Sequence, residues 1–376
     1  MALTKYKLGP LIELQDVRNT EGKYTVDDVR GISTEKDFIE TKANLDGVSL
    51  DSYKIVQSNE FAYVADTSRR GDKIALALNT QGEILISSIY TVFRVKRTDL
   101  LLSDFLFIYF NRPEFDRYAR FNSWGSARET FNWEDMCDIE LELPSIEIQQ
   151  KYVNIYKAMV ENQKSYERGL DDLKFVCDAY IEDLRRKMPC EKIGSYIEEF
   201  NKKNDGGLTL ESVRGIATNK EFIDTKANMD GVPLNGYKIT EPSMIAFISD
   251  TSRRGDKISL ALNQSEASYL VSSISTVFKT DQEKLLPKFV YLFFIRTEFD
   301  RYTRFHSWGS AREVFLYEDM CDVCIPIPDK NIQKAIVDIY DVYKQRKEIN
   351  EKLKQQIKDI CPILIKGSIE EAKKEA

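Results

Sequence analysis

Hydrophobic and polar positions change rhythm repeatedly along this 376-residue chain. Before residue 145, "EFAYVAD" from Glu60, "KIALALN" from Lys73, "EILISSIYTVFRV" from Glu83 and "DIELELP" from Asp138 alternate or are rich in β-branched residues. These runs predict strands. "LSDFLFIYFNRPEFDRYARF" from Leu102 carries apolar residues at helical spacing and predicts helix broken near Pro113. From Ile148 the stepping becomes 4 and 3 alternately: Ile148, Tyr152, Ile155, Met159, Asn162, Tyr166, Gly169, Leu173, Cys177, Tyr180, Leu184. The same stepping returns at Ile332, Ile336, Ile339, Tyr343, Arg346, Asn350, Leu353, Ile357, Ile360 and Leu364. Both are heptad seams and predict long helices that pair with each other. Pro189 closes the first, and Pro362 predicts a kink or an end of the second near Cys361.

The rhythm recurs because the sequence does. "DTSRRGDKI" stands at Asp66 and again at Asp250, 250 − 66 = 184 positions on. "VRGISTEKDFIETKANLDGV" from Val29 matches "VRGIATNKEFIDTKANMDGV" from Val213, and "SSIYTVF" from Ser87 matches "SSISTVF" from Ser272. "EFDRYARFNSWGSARETF" from Glu114 matches "EFDRYTRFHSWGSAREVF" from Glu298. A period this long marks two globular copies, each followed by a helix, not a solenoid. Antiparallel pairing of the two helices predicts one globule at each end of a rod, about a pseudo-two-fold axis. At ~1.5 Å per residue each helix would be about 55 Å long. Two equivalent heads at a fixed distance suit an extended, quasi-two-fold ligand such as duplex DNA.

Composition narrows the class. The chain is 42% hydrophobic and 31% charged, globular rather than disordered in character. No apolar run has the length of a membrane span and "MALTKYKLGP" has no signal-peptide core, so a cytoplasmic location is expected. The scattered cysteines fit reduced thiols. The net charge of −7 argues mildly against a nucleic-acid partner unless charge is segregated onto one face. No phosphate-binding loop, dinucleotide fingerprint, Ser/His/Asp set, paired-carboxylate nuclease pattern or Asn-Pro-Pro-aromatic box is present. No cofactor is expected. "CDVC" at Cys321 to Cys324 reads as a strand rather than a metal site, since the first copy has Glu140 where Cys324 stands. His306 matches Asn122 and belongs to no shared catalytic set.

The candidate contact residues come in pairs. Ser68, Arg69, Arg70 and Lys73, with Ser252, Arg253, Arg254 and Lys257, offer forked donors for guanine or phosphate. They also read as a solvated loop with Asp66 and Asp72 as local partners. Lys42 and Asn44, with Lys226 and Asn228, offer a phosphate contact and an adenine contact, or equally a turn. "SWGSAR" supplies Ser126 and Arg128, with Ser310 and Arg312, while its Trp124 and Trp308 read as packing residues. Arg117 and Arg120, with Arg301 and Arg304, line a phosphate-facing surface or pair with nearby carboxylates.

These elements together resemble the specificity (S) subunit of type I restriction–modification systems. The likeness rests on the doubled "RRGD", "SS-I-x-TVF" and "GSAR…EDM", and on the helix starts "PSIEIQQKYV" and "PDKNIQKAIV". It implies an α/β (α+β) fold of two homologous target-recognition domains, 1–143 and 189–327. They would be joined by two long antiparallel coiled-coil helical regions, 144–188 and 328–376. It further implies a non-catalytic subunit that binds double-stranded DNA through a bipartite target. The subunit would scaffold two methyltransferase (M) subunits and restriction (R) subunits, with no membrane involved. Members commonly carry two dissimilar recognition domains. Here the domains are close copies, which predicts a gapped near-palindrome. The alternative is a coiled-coil scaffold, or an orphan antirestriction relative, that binds proteins.

Overall fold

The computed structural model describes residues 4–67, 73–126, 128–225, 227–251, 257–310 and 312–375. The chain divides into two compact units, Met1–Glu167 with Ile349–Ala376, and Arg168–Glu348. Each is a mixed helix-and-sheet body, and the second repeats the elements of the first in the same order, with one added short 3-10 helix at Leu234–Gly236.

In the first unit a four-stranded antiparallel sheet runs in the spatial order Ile12–Gln15, Tyr90–Val95, Glu60–Val64, Leu76–Leu78. The central strand Glu60–Val64 is buried along its length. Its alternation explains how: Phe61 and Tyr63 face a large aromatic core, while Ala62 faces a smaller cluster with Val56, Ala77, Ile86 and Val92. Phe61 stacks on Phe93 with ring centroids 4.9 Å apart, and Phe110 meets Phe115 at 4.5 Å. The latter two rings come from the helices Ser103–Phe110 and Pro113–Phe121, with Pro113 opening the second where it needs no backbone donor. In the second unit the order is Ile197–Glu199, Ser275–Thr280, Ile245–Ile248, Leu260–Leu262, backed by Pro287–Phe294 and Thr297–Phe305.

One predicted strand is two. The run from Glu83 splits at residues 87–89. Ile84–Ile86 pairs with Lys54–Val56, and Tyr90–Val95 joins the four-stranded sheet. "CDVC" is likewise no continuous strand: Cys321 closes the helix Tyr317–Cys321 and Cys324 opens the strand Cys324–Pro326.

The long helices are Ile146–Lys187 and Lys330–Glu375. The second neither stops at Cys361 nor ends at Pro362; it continues through that proline. Proline removes one intrahelical hydrogen bond. Beyond it, Leu364, Ile365, Ser368 and Ala372 are buried, and the first two belong to the aromatic core of the first unit. That burial outweighs the missing bond. Within this unit the two helices run antiparallel: Tyr152 Oη donates to Glu371 at 3.0 Å, and Gln163 meets Asn350.

The seam of the first helix is turned from the predicted one. Ile155, Asn162 and Tyr180 are exposed, whereas Val153, Gln163, Leu170 and Ile181 are buried. In the second helix Ile332 and Arg346 are exposed, and Ile336, Asn350 and Leu364 are buried. A strict 3.5-residue period drifts by about 20° per heptad against a straight helix. These helices also cover domain cores, Val153 in one unit and Ile181 in the other. A coiled-coil seam alone does not describe their apolar faces.

Candidate nucleic-acid interface

In each unit the chain brings two of its repeated words together at one end of the four-stranded sheet. The strand Glu60–Val64 runs on to Asp66 and Thr67, the approach to the first "RRGD". "SWGSARET" folds back on itself there: Trp124 N–H donates to Thr130 O at 3.2 Å, and Thr130 N–H donates to Trp124 O at 3.0 Å. The far side of that loop pairs with the approach to the other. Thr67 N–H donates to Glu129 O at 3.0 Å, and Phe131 N–H donates to Ala65 O at 2.8 Å. The second unit repeats it, Thr251 to Glu313 at 3.1 Å and Phe315 to Ser249 at 2.8 Å. Only glycine fits the turn. Gly125 and Gly309 have φ of 145° and 143°, and an added Cβ would lie 2.0 Å from the carbonyl oxygen of Arg128 or Arg312.

Ser126, Arg128, Ser310 and Arg312 project from this turn and are exposed. Lys73 and Lys257, also exposed, mark where the chain returns. Ser68, Arg69, Arg70, Ser252, Arg253 and Arg254 lie outside the described residues, as does Lys226. Ile89 and Ile274 stand exposed at the same sheet end, because Val64 pairs with Tyr90 and Ile248 with Ser275. Trp124 and Trp308, read from sequence as packing residues, are exposed instead.

A buried ion pair anchors the returning chain, and the sequence reading missed it. Lys36 Nζ donates to Asp116 Oδ1 at 2.6 Å and to Ile74 O at 3.2 Å; Asp116 Oδ1 also accepts Ile74 N–H at 3.3 Å. Lys220, Asp300 and Ile258 form the same triad in the second unit. Ile74 and Ile258 directly follow the two lysines of "RRGDK". Lys36 and Lys220 sit at φ of 67° and 68°, at the tip of a tight hairpin. Burial pushes both ammonium groups below the ordinary lysine value, while the aspartate opposes the shift. The available signal was identity between copies: Lys36 and Lys220 are kept while Glu35 becomes Asn219 and Asp37 becomes Glu221.

That change makes the two sites unequal. Lys73 Nζ donates to Glu35 at 2.9 Å, and Glu35 also meets Lys358 of the second long helix. No ion pair joins Lys257 to another described residue, Asn219 standing in place of Glu35. Arg120 and Arg304 hold Glu129 and Glu313 across the base of the turn. Arg117 and Arg301 pair with Glu114 and Glu298, each at 3.4 Å. Of the two sequence readings for these four arginines, the structure displays the carboxylate pairing.

The "TKAN" words follow a hairpin strand. The hairpin Arg30–Ile32/Phe38–Glu40 points its tip at Ile74 and lets Thr41 leave from its open end. Asn44 Oδ1 accepts Asp46 N–H, and Asn228 Oδ1 accepts Asp230 N–H, both at 3.0 Å. These are Asx turns. Lys42, Asn44 and Asn228 are exposed.

The "IQ" pairs at the helix starts are structural clasps. Gln149 Nε2 donates to Leu100 O at 2.8 Å and Pro144 O at 2.9 Å, while its Oε1 accepts Leu102 N–H at 3.0 Å. Gln333 does the same with Lys284, Pro328 and Leu286.

Residues 194–359 match the family described as type I restriction modification DNA specificity domain. The type I restriction enzyme HindI specificity subunit of Haemophilus influenzae is 23% identical over 156 residues, 41% of this chain and 34% of that protein. The match thus spans about a third of the relative's length. The type I restriction–modification S subunit from M. genitalium has the same fold, with a TM-score of 0.58 at 12% identity over 98% of this chain and 96% of that one. The HsdS subunit of Thermoanaerobacter tengcongensis is a more distant likeness, with a TM-score of 0.39 at 14% identity over 98% and 96% of the two chains. The matched domain lies in the second copy, and the first copy repeats it. Residues 194–359 thus carry a type I restriction modification DNA specificity domain, and the fold of the chain is that of the M. genitalium S subunit. None of its described helices is long and apolar enough to cross a membrane.

Proposed function

We propose that this chain is the DNA-reading, non-catalytic subunit of a cytoplasmic type I restriction–modification assembly. Each globular domain, 1–143 and 189–327, reads one half of a bipartite duplex target. The helical regions 144–188 and 328–376 receive two adenine-N6 methyltransferase subunits, and restriction subunits join that core. The observation that supports this reading is the doubled cluster in which the residues just after "GSAR", Glu129 and Phe131 in one unit and Glu313 and Phe315 in the other, are hydrogen-bonded to the approach of "RRGD". Arginine, lysine and serine on exposed turns with close backbone approach are the groups that meet phosphates and base edges. Because the clusters repeat, the half-sites are similar and inverted, a gapped near-palindrome.

The net charge of −7 predicts weak binding by this chain alone and tight binding once the methyltransferase subunits enclose the duplex. Electrophoretic binding with and without those subunits tests this, with the target taken from methylated-base sequencing of the host. Sequence-specific retention by the assembly is expected. A reconstituted assembly that binds every duplex at nonspecific strength removes the proposal, as capture of protein partners without DNA points to a scaffold instead. Two unrelated half-sites in the methylated sequence remove the near-palindrome.

A further inference from the structure

Both units expose hydrophobic surface at the same place. Phe121, which ends its helix, is 77% exposed, and Trp124 is 65% exposed. Their counterparts Phe305 and Trp308 are 77% and 70% exposed. Single exposed apolar residues are ordinary. Here a phenylalanine and a tryptophan three positions apart are exposed in both copies, the tryptophan bridged to Thr130 or Val314 at the sheet end, a repetition that chance exposure does not give. Folding does not account for it, since neither Phe121 nor Trp124 belongs to a core cluster of its unit. The copies have diverged around the rings: Ala119 became Thr303, Asn122 became His306 and Thr130 became Val314, while Phe and Trp stayed. The surroundings are basic. Arg128 or Arg312 stands four residues beyond each Trp, and Lys73 or Lys257 marks the neighbouring loop.

We propose that Phe121 with Trp124, and Phe305 with Trp308, are aromatic wedges that enter a groove of duplex DNA and unstack one base step in each half-site. This rests on the DNA-reading function proposed above. Apolar side chains set beside cationic ones are what kink a duplex at a base step. Ring faces stack on any base, so the wedge adds affinity without a hydrogen-bond code. Its selectivity is for deformability: a flexible pyrimidine–purine step is favoured at that position over a stiff A-tract. The neighbouring arginines hold the phosphates on either side.

The test uses the full chain assembled with its methyltransferase subunits, and synthetic duplexes of the mapped target carrying 2-aminopurine in one half-site or the other. Fluorescence is expected to rise on binding in both half-sites. Phe121→Ala/Trp124→Ala abolishes the rise in one half-site, and Phe305→Ala/Trp308→Ala in the other, each weakening binding about 5- to 150-fold. Trp124→Phe keeps a ring and retains most of the signal. Circular dichroism of each variant checks that folding is unchanged, as expected for exposed side chains. Unchanged affinity and fluorescence in both double variants overturns the wedge. So does loss of methyltransferase subunits at unchanged DNA affinity, which makes the patch a protein interface. If the unsubstituted assembly itself shows no sequence-specific binding, the DNA-reading function is what fails, and the wedge with it.

Discussion

Lys36 and Asp116 meet at 2.6 Å in a buried pocket, 80 positions apart in sequence, and share between them both polar groups of the Ile74 peptide. The contact joins a hairpin tip, a helix and the return of the basic loop. A buried charge without its partner is costly, so the pair acts as one unit. Lys36→Met or Asp116→Ala alone is expected to destabilise the chain by ~3–5 kcal/mol, and the double change Lys36→Met/Asp116→Leu by much less. Urea unfolding of the three variants checks this. A double-variant loss equal to the sum of the two single losses would mean the two residues act independently.

Gln149 and Gln333 are themselves fully buried and each satisfies three backbone groups at the start of a long helix. Replacement by leucine keeps the bulk and orphans those groups. A loss of ~1–3 kcal/mol per orphaned group is the expected scale, read as a lowered unfolding midpoint for Gln149→Leu and again for Gln333→Leu. A midpoint unchanged in both would show that water takes over the clasp.

Gly125 and Gly309 hold the "GSAR" turn in a form closed to other residues. Gly125→Ala is expected to distort that turn and weaken recognition of one half-site, and Gly309→Ala the other, with the domain cores intact. Footprinting on the mapped target separates the two. Identical, symmetric losses from a single substitution would contradict the assignment of one turn to each half-site.

Gln163 Nε2 donates to Asn350 Oδ1 at 2.9 Å in the buried helix contact of the first unit. Buried polar pairs in helical seams select register at some cost in stability. Gln163→Leu/Asn350→Leu is therefore expected to raise the unfolding midpoint, and Asn350→Leu alone to lower it. Calorimetry distinguishes these outcomes.

The two "RRGDK" words are identical, so Arg69→Ala/Arg70→Ala and Arg253→Ala/Arg254→Ala should impair one half-site apiece to a similar extent. Each phosphate contact removed lowers the salt slope of binding by about 1. The lysines should differ: Lys257→Ala costs more than Lys73→Ala, because Glu35 already engages Lys73. Glu35→Asn should bring the two lysines level. Salt titrations of the five variants measure all of this.

The duplication, the strands, the broken helix at Pro113 and the two long helices were legible in the sequence. They depend on local periodicity and on repeated words, both of which are properties of neighbouring residues. The seam was misread at Ile155 and Tyr180 because a periodic stripe does not say which of several surfaces a helix covers. Pro362 misled because burial of Leu364 and Ile365 is a tertiary gain that the local proline penalty does not reveal. The exposed Trp124 and Trp308 were misjudged because hydrophobic character predicts burial only on average. By itself, then, the sequence determined that there are two copies and which basic words recur in them. Only the tertiary structure decided that the residues after "GSAR" pair with Ala65 and Thr67 at one sheet end, and that Lys36 with Asp116 holds Ile74. Those are facts of strand register and chain return, set by contacts between residues far apart in sequence.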